Sequence, residues 1–498
     1  MRNLSLNVPS VFTKELRLSS DAVSGDRRLR ISSNLLQLMG FAPTARYERR
    51  VLAPAGGFEL RLNPAGPVQV YQRTYNHRRN NPTETVIDEH SQEFLNASIP
   101  AGIERVHLTM RQGVIIGRPS PERTFYIRKA IRQPSYPLEA FVALSSGVDA
   151  ACLRSVGFGM QALLEYRPQE KRDTRDLTET GVMTGIANNP FRFVFNEDIF
   201  RVDFSRITEV LKDQPRVAIL ALSPQCDDFT NVKTSAAKLA SLDSLDTTVD
   251  MFFPCLRLIE TVQPAIVHVE NVPGFLSSPA GEMIVLTLRR WGYNVNAGVY
   301  DARDFGGTTS RKRCYIVASV FPGFEAPAPI TEAFAPGRIW RLIEDQFPFC
   351  NDATNTSSLQ KGLVDLDSKQ KGQARLITPE SVFAPTVMKS QSRHAKDSVF
   401  IAHPDGRYLF PNEEILRRLQ GVPADFSLDA VAGDIASEQL GQSIDWTLHH
   451  AFAAAIRRHL AVNRGEEVAP EAPRAPAVVQ SFEAADSVPV DPQMALFA

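Results

Sequence analysis

Two short apolar runs that end abruptly in polar residues constrain the fold of this chain more than any other feature. One run, at 217–223, leads into Pro224 and Cys226, and the other, at 265–270, ends in Glu270 just before a Pro-Gly turn. Runs of this length are typical of strands that are buried inside an α/β sheet. Such strands deliver the residues at their ends to one edge of the sheet. We therefore expect the thiol of Cys226 and the carboxyl group of Glu270 to lie together.

The length and composition of the chain fit a protein of two or three domains with a large core. It has 498 residues, of which 43% are hydrophobic and 22% are charged, which is ordinary for a globular protein. Because no apolar run approaches the ~18 residues of a membrane span and the N-terminus lacks an apolar signal segment, we expect a cytoplasmic protein. The five cysteines show no Cys-x-x-Cys spacing, so we expect neither a structural zinc site nor a disulfide framework.

The net charge of −1 is distributed unevenly along the chain. Residues 1–130 contain 19 basic and 11 acidic residues, a net charge of +8, and 17 of the basic residues are Arg. Arg presents a planar fork of donors that suits phosphate groups. Residues 463–498 contain 2 basic and 6 acidic residues. A basic end on a nearly neutral chain predicts a nucleic-acid partner, and a merely solvated surface is the alternative.

Five segments of different character follow one another along the chain. Strand patterns around turn signals at 53–57 and 111–113 predict hairpins. Apolar strands then alternate with helical stretches, which is typical of a parallel α/β sheet. The predicted segments are a basic β-rich accessory domain at 1–130, an α/β core at 136–322, an inserted loop-rich module at 323–404, the C-terminal part of the core at 405–462 and a disordered tail at 463–498. Strands are predicted at 137–144, 217–223, 265–270, 295–300 and 313–319, and helices at 148–157, 248–262, 280–291, 411–420 and 443–460.

Motifs in a fixed order give the chain a resemblance to the DNA (cytosine-5) methyltransferases. The segment from Pro224 to Thr230 is similar to the family's Pro-Pro-Cys-Gln-Gly-Phe-Ser loop, and Glu270-Asn271-Val272 matches its Glu-Asn-Val. The other similar segments are Thr309–Arg313, Arg417–Phe426 and Gln439–Ile444. The resemblance covers 136–322 and 405–460. It implies a Rossmann-like S-adenosylmethionine-dependent methyltransferase sheet with an inserted target-recognition module, beside the extra β-rich N-terminal domain.

The chemistry of the cytosine ring explains why these residue types occur together. C5 of cytosine is a poor nucleophile until a thiolate adds to C6, which makes C5 able to attack an electrophilic methyl group. We predict that Cys226 is this nucleophile and that Glu270 donates a hydrogen bond or proton to N3. The resemblance implies that Arg311 holds the cytosine O2 and that Arg313 organises the site through Glu270 or backbone carbonyl groups.

The resemblance also implies that S-adenosylmethionine binds beyond the ends of the first strands of the sheet. Glu165, after the second strand, would accept hydrogen bonds from the ribose hydroxyl groups, and Asp198 would accept one from the adenine amino group. The other residues predicted to bind this cofactor are Ser145, Gly147, Gln442 and Ser443.

Several residues depart from the family's pattern. Asp227 and Asp228 replace a Gln and a Gly beside the nucleophile, and two acids there should raise the pKa of the thiol. Ser145 replaces a Gly, Thr309 replaces a Gln and Gln442 replaces an Asn. These departures leave open a slower enzyme, a different loop closure or an altered donor.

Access to a stacked base requires that it be flipped out of double-stranded DNA, at a cost of roughly a few kcal/mol. Basic residues of the inserted module that could contact the DNA are Lys361, Lys369, Lys371, Arg375, Lys389, Arg393 and Lys396. In the tail, Gln493, Leu496 and Phe497 resemble the peptide that docks on the bacterial sliding clamp. We expect a monomer. An RNA cytosine-5 methyltransferase and a non-catalytic DNA-binding protein on the same scaffold remain the alternative functions.

Overall fold

The structure is a computed structural model, and it describes residues 8–466 apart from short gaps. The gaps are 22–23, 34, 54, 76, 78–82, 171, 230–239, 243–246, 332, 368–373 and 396. The predicted clamp-binding residues and nearly all of the predicted tail therefore lie outside the described residues. The chain divides into two compact units, Met1–Tyr126 and Ile127–Ala498.

The first unit consists mainly of antiparallel strands. Its strands are β1 (Phe12–Arg17), β2 (Ser19–Ser20), β3 (Arg27–Ser32), β4 (Arg46–Val51), β5 (Phe58–Leu62), β6 (Val68–Gln69), β7 (Tyr71–Thr74), β8 (Thr83–Glu89), β9 (Arg105–Arg111) and β10 (Val114–Pro119). Its helices are α1 (Leu35–Leu38) and α2 (Gln92–Ser98), and α3 (Phe125–Ile131) leads into the second unit. The strands form sheets in the orders β1-β9-β10-β5-β4-β6 and β2-β3-β8-β7. The pairs β4–β5 and β9–β10 confirm the two predicted hairpins.

The second unit is built around a sheet of seven strands among the described residues. They are β11 (Glu139–Ala143), β12 (Gly159–Leu164), β13 (Phe193–Phe195), β14 (Val217–Leu222), β15 (Ile266–Asn271), β16 (Asn294–Asp301) and β17 (Lys312–Ser319), in the order β13-β12-β11-β14-β15-β17-β16. The four pairs that connect β13, β12, β11, β14 and β15 in this order are parallel. The predicted α/β sheet is confirmed, and its parallel part ends at β15, because β17 runs antiparallel to both of its neighbours.

Helices and short helical turns connect and cover these strands. The helices are α4 (Val148–Ser155), α5 (Thr180–Asn188), α6 (Phe204–Leu211), α7 (Phe252–Val262), α8 (Pro273–Leu276), α9 (Pro279–Arg290), α10 (Arg338–Ile343), α11 (Ser357–Asp367), α12 (Glu413–Leu419), α13 (Gly433–Gln442) and α14 (Trp446–Arg464). The predicted helix at 443–460 begins later than expected, because the side chain of Asp445 accepts a hydrogen bond from the backbone of Leu448 and caps α14 there.

The inserted segment contains a small sheet of its own. Its strands are β18 (Asn351–Asp352), β19 (Arg375–Ile377), β20 (Val399–Ala402) and β21 (Tyr408–Phe410), in the order β18-β21-β20-β19. Ala353, Leu359 and Phe400 form a hydrophobic cluster beside this sheet. Since β21 ends at Phe410, the small sheet continues beyond the boundary that the sequence predicted at 404.

The burial of the central strands explains their composition. Every residue of β14 and β15 is buried, because helices cover both faces of the sheet. Polar side chains therefore occur mainly where these strands end. Among the described residues, no helix combines the length and the apolar character needed to span a membrane.

Candidate active site

The predicted nucleophile lies in the turn that follows β14. Cys226 is half-buried, and its carbonyl group accepts a hydrogen bond of 3.0 Å from the backbone N–H of Phe229. A short 3₁₀ turn over Asp227–Phe229 continues from it. The other half-buried free thiol, Cys350, lies in the inserted segment, and Cys152, Cys255 and Cys314 are buried in the core. Cys226 is thus the thiol at the carboxyl edge of the sheet.

The predicted acid lies at the end of the neighbouring strand β15. Glu270 is 8% exposed, and its Oε1 atom lies 2.9 Å from Nε of Arg313. Arg313 also donates to the backbone carbonyl group of Lys312 over 2.7 Å. Cys226 follows β14 and Glu270 ends the neighbouring parallel strand β15, so these two residues and Arg313 lie at one edge of the sheet, and the charges of Glu270 and Arg313 both act on the pKa of Cys226.

Asn271 joins the two motif-bearing turns. Its Nδ2 atom donates a hydrogen bond of 2.9 Å to the carbonyl group of Pro224, and its Oδ1 atom accepts one of 2.8 Å from the N–H of Val272. The turn at Pro273 and Gly274 also packs closely on the turn that contains Cys226. A Cβ atom at Gly274 would lie 2.4 Å from the carbonyl oxygen of Phe229. Asn271 belongs to a matched motif but has no predicted role, although an amide at the end of an apolar run is a signal in the sequence.

The surroundings of Cys226 favour its protonated form. Burial raises the pKa of the thiol, and the negative charge of Asp227 raises it further, whereas Arg313 lowers it. Of the two acids expected to raise this pKa, Asp228 takes another role. Its Oδ2 atom accepts hydrogen bonds from Thr247 and Thr248, which ties the turn to the start of the next helical segment.

Arg311, for which contact with the cytosine O2 is predicted, is enclosed by backbone carbonyl groups in the ligand-free chain. It is 1% exposed, and its guanidinium donates to the carbonyl groups of Val387 at 3.0 Å, Gly441 at 3.2 Å and Ser443. Burial lowers its pKa to about 9. Arg313, two residues along, is the arginine whose side chain meets Glu270. Arg311 therefore joins the inserted segment to the end of α13.

The turn between β11 and α4 contains the first predicted cofactor residues. Gly147 has a φ of +100°, and a Cβ atom on it would lie 2.7 Å from the Cα of Gly185, so glycine is required there. The hydroxyl group of Ser145 accepts from the N–H of Gly147 and donates to Oδ1 of Asp149. Asp149 is 1% exposed, and its Oδ2 atom has no hydrogen-bond partner among the described residues. No role for Asp149 is predicted from the sequence.

The second and third predicted cofactor acids differ in burial. Glu165 follows β12 and is buried, and its pKa is raised to about 8, first by burial and then by the charge of Asp149. Asp198 follows β13 and is half-buried, and its Oδ1 atom accepts a hydrogen bond of 3.0 Å from the N–H of Phe200. Both carboxyl groups lie at the same edge of the sheet as Cys226 and Glu270, because these strands are parallel.

The last two predicted cofactor residues lie at the end of α13. Gln442 is exposed and ends the helix, and Ser443 follows it as the cap residue. The hydroxyl group of Ser443 donates a hydrogen bond of 2.9 Å to the carbonyl group of Leu440, and its own carbonyl group accepts from Arg311. The structure places Ser443 in the framework of the site, whereas the Gln442 side chain faces solvent.

An ion-pair cluster that is not predicted from the sequence surrounds Glu438 on α13. Its carboxylate lies 3.2 Å from Nε of Arg167 and 2.6 Å from a guanidinium nitrogen of Arg172, both in the segment that follows Glu165. Lys389, which was predicted to contact DNA, lies 2.8 Å from Glu170 of that same segment. No local sequence pattern predicts these pairs, because the partners are separated by more than 200 positions.

Among the remaining basic candidates of the inserted segment, those that the structure describes fall into two groups. Arg375 donates to the carbonyl groups of Thr386 and Asp397, each over 2.7 Å, so it supports the segment itself. Lys361 and Arg393 are exposed and available to a partner. The others, Lys369, Lys371 and Lys396, lie outside the described residues.

Comparison with known families and proteins follows the same motifs. A sequence model of the family described as C-5 cytosine-specific DNA methylases matches residues 187–458, more than half of the chain. The matched range contains Cys226, Glu270, Arg311 and Arg313, whereas the turn after β11 precedes it.

Individual relatives are more distant. Type II methyltransferase M1.ScrFI of Lactococcus lactis subsp. cremoris is 27% identical over 268 residues, which are 50% of this chain and 64% of that protein. Type II methyltransferase M.MspI of Moraxella sp is 28% identical over 270 residues, 51% of this chain and 60% of that protein. The chain thus spans less than two thirds of either relative. The methyltransferase EhMeth of Entamoeba histolytica shares the fold, with a TM-score of 0.50 at 14% identity over 64% of this chain and 98% of that one.

Proposed function

The chain belongs to the family of C-5 cytosine-specific DNA methylases, and on this premise we propose that it is a DNA (cytosine-5) methyltransferase. It would transfer a methyl group from S-adenosylmethionine to C5 of a cytosine that is flipped out of double-stranded DNA. The observation that carries the proposal is the meeting of the Cys226 turn with the Glu270–Arg313 pair, which Asn271 joins through the carbonyl group of Pro224.

The residues at this edge would act in sequence on the base. The Cys226 thiolate forms a bond to C6, and the displaced electron pair moves into the ring, where the Glu270 carboxyl group stabilises it with a hydrogen bond or proton at N3. C5 would then bond to the methyl group as the bond from that group to the donor's sulfur breaks, which would leave S-adenosylhomocysteine. Loss of the C5 proton to a base and expulsion of the thiolate restore the aromatic ring and the enzyme. Arg313 holds the Glu270 side chain in place throughout.

Because the pKa of Cys226 is raised in the ligand-free protein, the thiol must be activated when DNA binds. Arg313 and Arg311 both lower this pKa. A shift of the Cys226 turn toward these two guanidinium groups when DNA binds would favour the thiolate, since the attraction between opposite charges grows as their distance falls. The thiolate would therefore form mainly in the complex.

The turns after β11 and β12 fit an adenosyl donor. When bound, S-adenosylmethionine supplies an electrophilic methyl group on a cationic sulfur. Gly147 leaves the backbone of its turn uncovered by a side chain, and Asp149 has a buried oxygen atom that lacks a partner among the described residues. In this proposal Glu165 binds the ribose hydroxyl groups, Asp198 binds the adenine amino group, and Gly147 and Ser145 line the turn.

Covalent trapping tests this function. Duplex DNA that carries 5-fluorocytosine in place of cytosine retains the enzyme, because fluorine at C5 cannot leave as the proton does. We expect a denaturant-resistant adduct with the wild type in the presence of S-adenosylmethionine and none with Cys226→Ser. The matched control is Cys350→Ser, which changes the other half-buried free thiol and should be trapped like the wild type.

The other possible results of the trapping experiment would contradict the proposal in different ways. No adduct with the wild type would favour a non-catalytic DNA-binding protein. Trapping on 5-fluorocytosine RNA but not on DNA would favour the RNA methyltransferase. An adduct formed equally by Cys226→Ser would remove Cys226 from the mechanism.

The domain roles and the partners extend the proposal. We infer that 1–130 adds affinity for DNA through its excess of arginine, that 323–404 recognises the target sequence, and that the protein acts as a monomer in the cytoplasm. The tail residues Gln493, Leu496 and Phe497 would bind the sliding clamp as a short peptide. Retention on immobilised clamp should be lost in the Leu496→Ala/Phe497→Ala variant, and equal retention of both proteins would exclude the contact.

A further inference from the structure

Asp149 is a buried carboxyl group that the proposed mechanism does not use. It lies in the first turn of α4, and its Oδ1 atom accepts hydrogen bonds from the hydroxyl group of Ser145 and from the N–H of Ala150. Its Oδ2 atom is enclosed and has no hydrogen-bond partner among the described residues. Leaving a carboxylate oxygen buried without a partner costs free energy, and a cationic or donating ligand that reached this atom would recover part of that cost.

The strand order places Asp149 between the two halves of the site. At the carboxyl edge of the sheet the strands follow one another as β12, β11, β14 and β15. Glu165 follows β12, Cys226 follows β14 and Glu270 ends β15, whereas Asp149 belongs to the turn and helix that follow β11. Electrostatic coupling of Asp149 to both Glu165 and Glu270 agrees with this intermediate position.

The route of the methyl group crosses this position. A donor whose ribose is held beyond β12, and whose methyl group reaches a base held beyond β14 and β15, must carry its sulfur over the end of β11. The sulfur of S-adenosylmethionine bears a positive charge. After transfer, the sulfur of S-adenosylhomocysteine is a neutral thioether.

We propose, on the basis of the proposed function, that the Asp149 carboxylate faces the sulfonium centre of the bound donor and selects the charged donor over the neutral product. The residue would act in binding and release. It lowers the free energy of the complex while the sulfur is charged, and it loses that interaction once the methyl group has left. Ser145, which holds the other carboxylate oxygen, is its positioning residue.

Binding measurements with three ligands test the proposal. The ligands are S-adenosylmethionine, S-adenosylhomocysteine and sinefungin, an analogue with an amine in place of the sulfonium, which is also cationic. Isothermal titration calorimetry at pH 8 should show that the wild type binds both cationic ligands on the order of tenfold more tightly than the neutral one. Asp149→Asn, which keeps the size and the accepting oxygen, should bind all three with similar affinity.

The matched control is Asp445→Asn. Asp445 is also a buried aspartate at the start of a helix, and its Oδ2 atom also lacks a partner among the described residues. It differs in position, because it caps α14 and does not belong to the turn after β11. This variant should keep the wild-type ratio of affinities. Ser145→Ala frees the Asp149 carboxylate from one hydrogen bond. This variant should still bind the cationic ligands more tightly than the neutral one, but with a smaller ratio of affinities than the wild type.

Each remaining outcome gives a definite answer. A wild type that binds the neutral product as tightly as the cationic ligands would overturn the inference without any variant, so a failure of Asp149→Asn to fold does not protect it. An equal loss of affinity for all three ligands in Asp149→Asn would also overturn it, because the residue would then contact a group that they share. Absence of binding by any of the three to the wild type would instead remove the donor itself, and the proposed function with it.

Discussion

At the scale of single residues, the carboxyl edge of the central sheet contains three buried carboxyl groups. Asp149, Glu165 and Glu270 are 1%, 9% and 8% exposed. Burial raises the pKa of Asp149 to about 6 and that of Glu165 to about 8. The ligand-free protein therefore contains acids whose ionisation is unfavourable. A donor that brings a positive charge and hydroxyl groups to this edge would offset part of that cost.

Replacing Asp149 by Asn should change how the stability of the ligand-free protein depends on pH. The folded protein keeps a proton on Asp149 up to about pH 6, whereas the unfolded chain releases it near 3.8. Because the folded state binds more protons in this window, the stability of the wild type falls as the pH rises through it. The unfolding free energy of the variant relative to the wild type should increase by up to roughly 3 kcal/mol between pH 4 and pH 7.

Urea unfolding at the two pH values measures this difference. Asp434→Asn, at an exposed position in the first turn of α13, serves as the control and should show no such gain. A difference between Asp149→Asn and the wild type that stays the same at both pH values would mean that Asp149 is ionised throughout the range.

Arg313→Gln should slow methylation without unfolding the protein. The substitution removes the guanidinium that lies 2.9 Å from Glu270, so the carboxyl group loses its fixed position and Cys226 loses a charge that lowers its pKa. We expect single-turnover methylation to fall on the order of a hundredfold, as is typical when a positioned acid is disturbed. In Arg303→Gln, which breaks the ion pair between Arg303 and Asp301, the rate should stay near the wild-type value. A similar loss in both variants would point to a general electrostatic effect.

At the scale of secondary structure elements, the site depends on contacts between turns. The turn after β14 and the end of β15 are held together by Asn271, whose amide reaches the carbonyl group of Pro224. The segment after β12 is held to α13 by the ion pairs of Glu438. Each of these contacts joins elements that are distant in sequence, so the site is assembled only when the sheet is complete.

Asn271→Ala should loosen the turn that carries the nucleophile. The substitution leaves the buried carbonyl group of Pro224 without its donor, which should lower the free energy of unfolding by about 1–2 kcal/mol. Because Cys226 would then occupy several positions, covalent trapping on 5-fluorocytosine DNA should slow by about tenfold. Asn294→Ala is the control, since Asn294 also donates to a backbone carbonyl group, that of Ser319, but at the start of β16. Trapping of Asn271→Ala at the wild-type rate would show that the turn is held by other contacts.

At the scale of the whole molecule, the chain consists of two compact units with separate hydrophobic cores. All of the residues that we assign to catalysis and to donor binding belong to the second unit. The excess of arginine belongs to the first. This division suggests that binding of DNA phosphates and chemistry at the base can be separated experimentally.

A chain that begins at Pro121 should retain covalent trapping and lose DNA affinity. This boundary leaves α3 intact, and it removes most of the arginines of the first unit. We expect weaker binding to duplex DNA and a less steep dependence of log Kd on log salt concentration, because fewer counterions are released. Full-length protein with Arg50, Arg73 and Arg111 changed to Gln should show an intermediate slope, since all three are exposed. An unchanged slope in both proteins would assign DNA binding to the second unit alone.

Several features of the fold could be predicted from local patterns. The two hairpins of the first unit and the strands β14 and β15 follow from alternation and from short apolar runs, because each pattern spans only a few residues. The position of Cys226 and Glu270 at one sheet edge follows from the parallel arrangement of β14 and β15. The antiparallel direction of β17 could not be predicted, because a buried strand has the same composition in either direction.

Local sequence patterns are enough to identify the chemical groups at the strand ends, because a buried apolar strand must place its polar residues where it emerges from the core. Which contacts those groups make depends on packing between distant segments of the folded chain. Whether Arg311 or Arg313 meets Glu270 depends on which face of β17 is covered, and Val387 and the end of α13, far away in the sequence, cover Arg311. The Oδ2 atom of Asp149, which lacks a hydrogen-bond partner within the described part of the chain, is a second example, because burial depends on all the elements that pack around an atom.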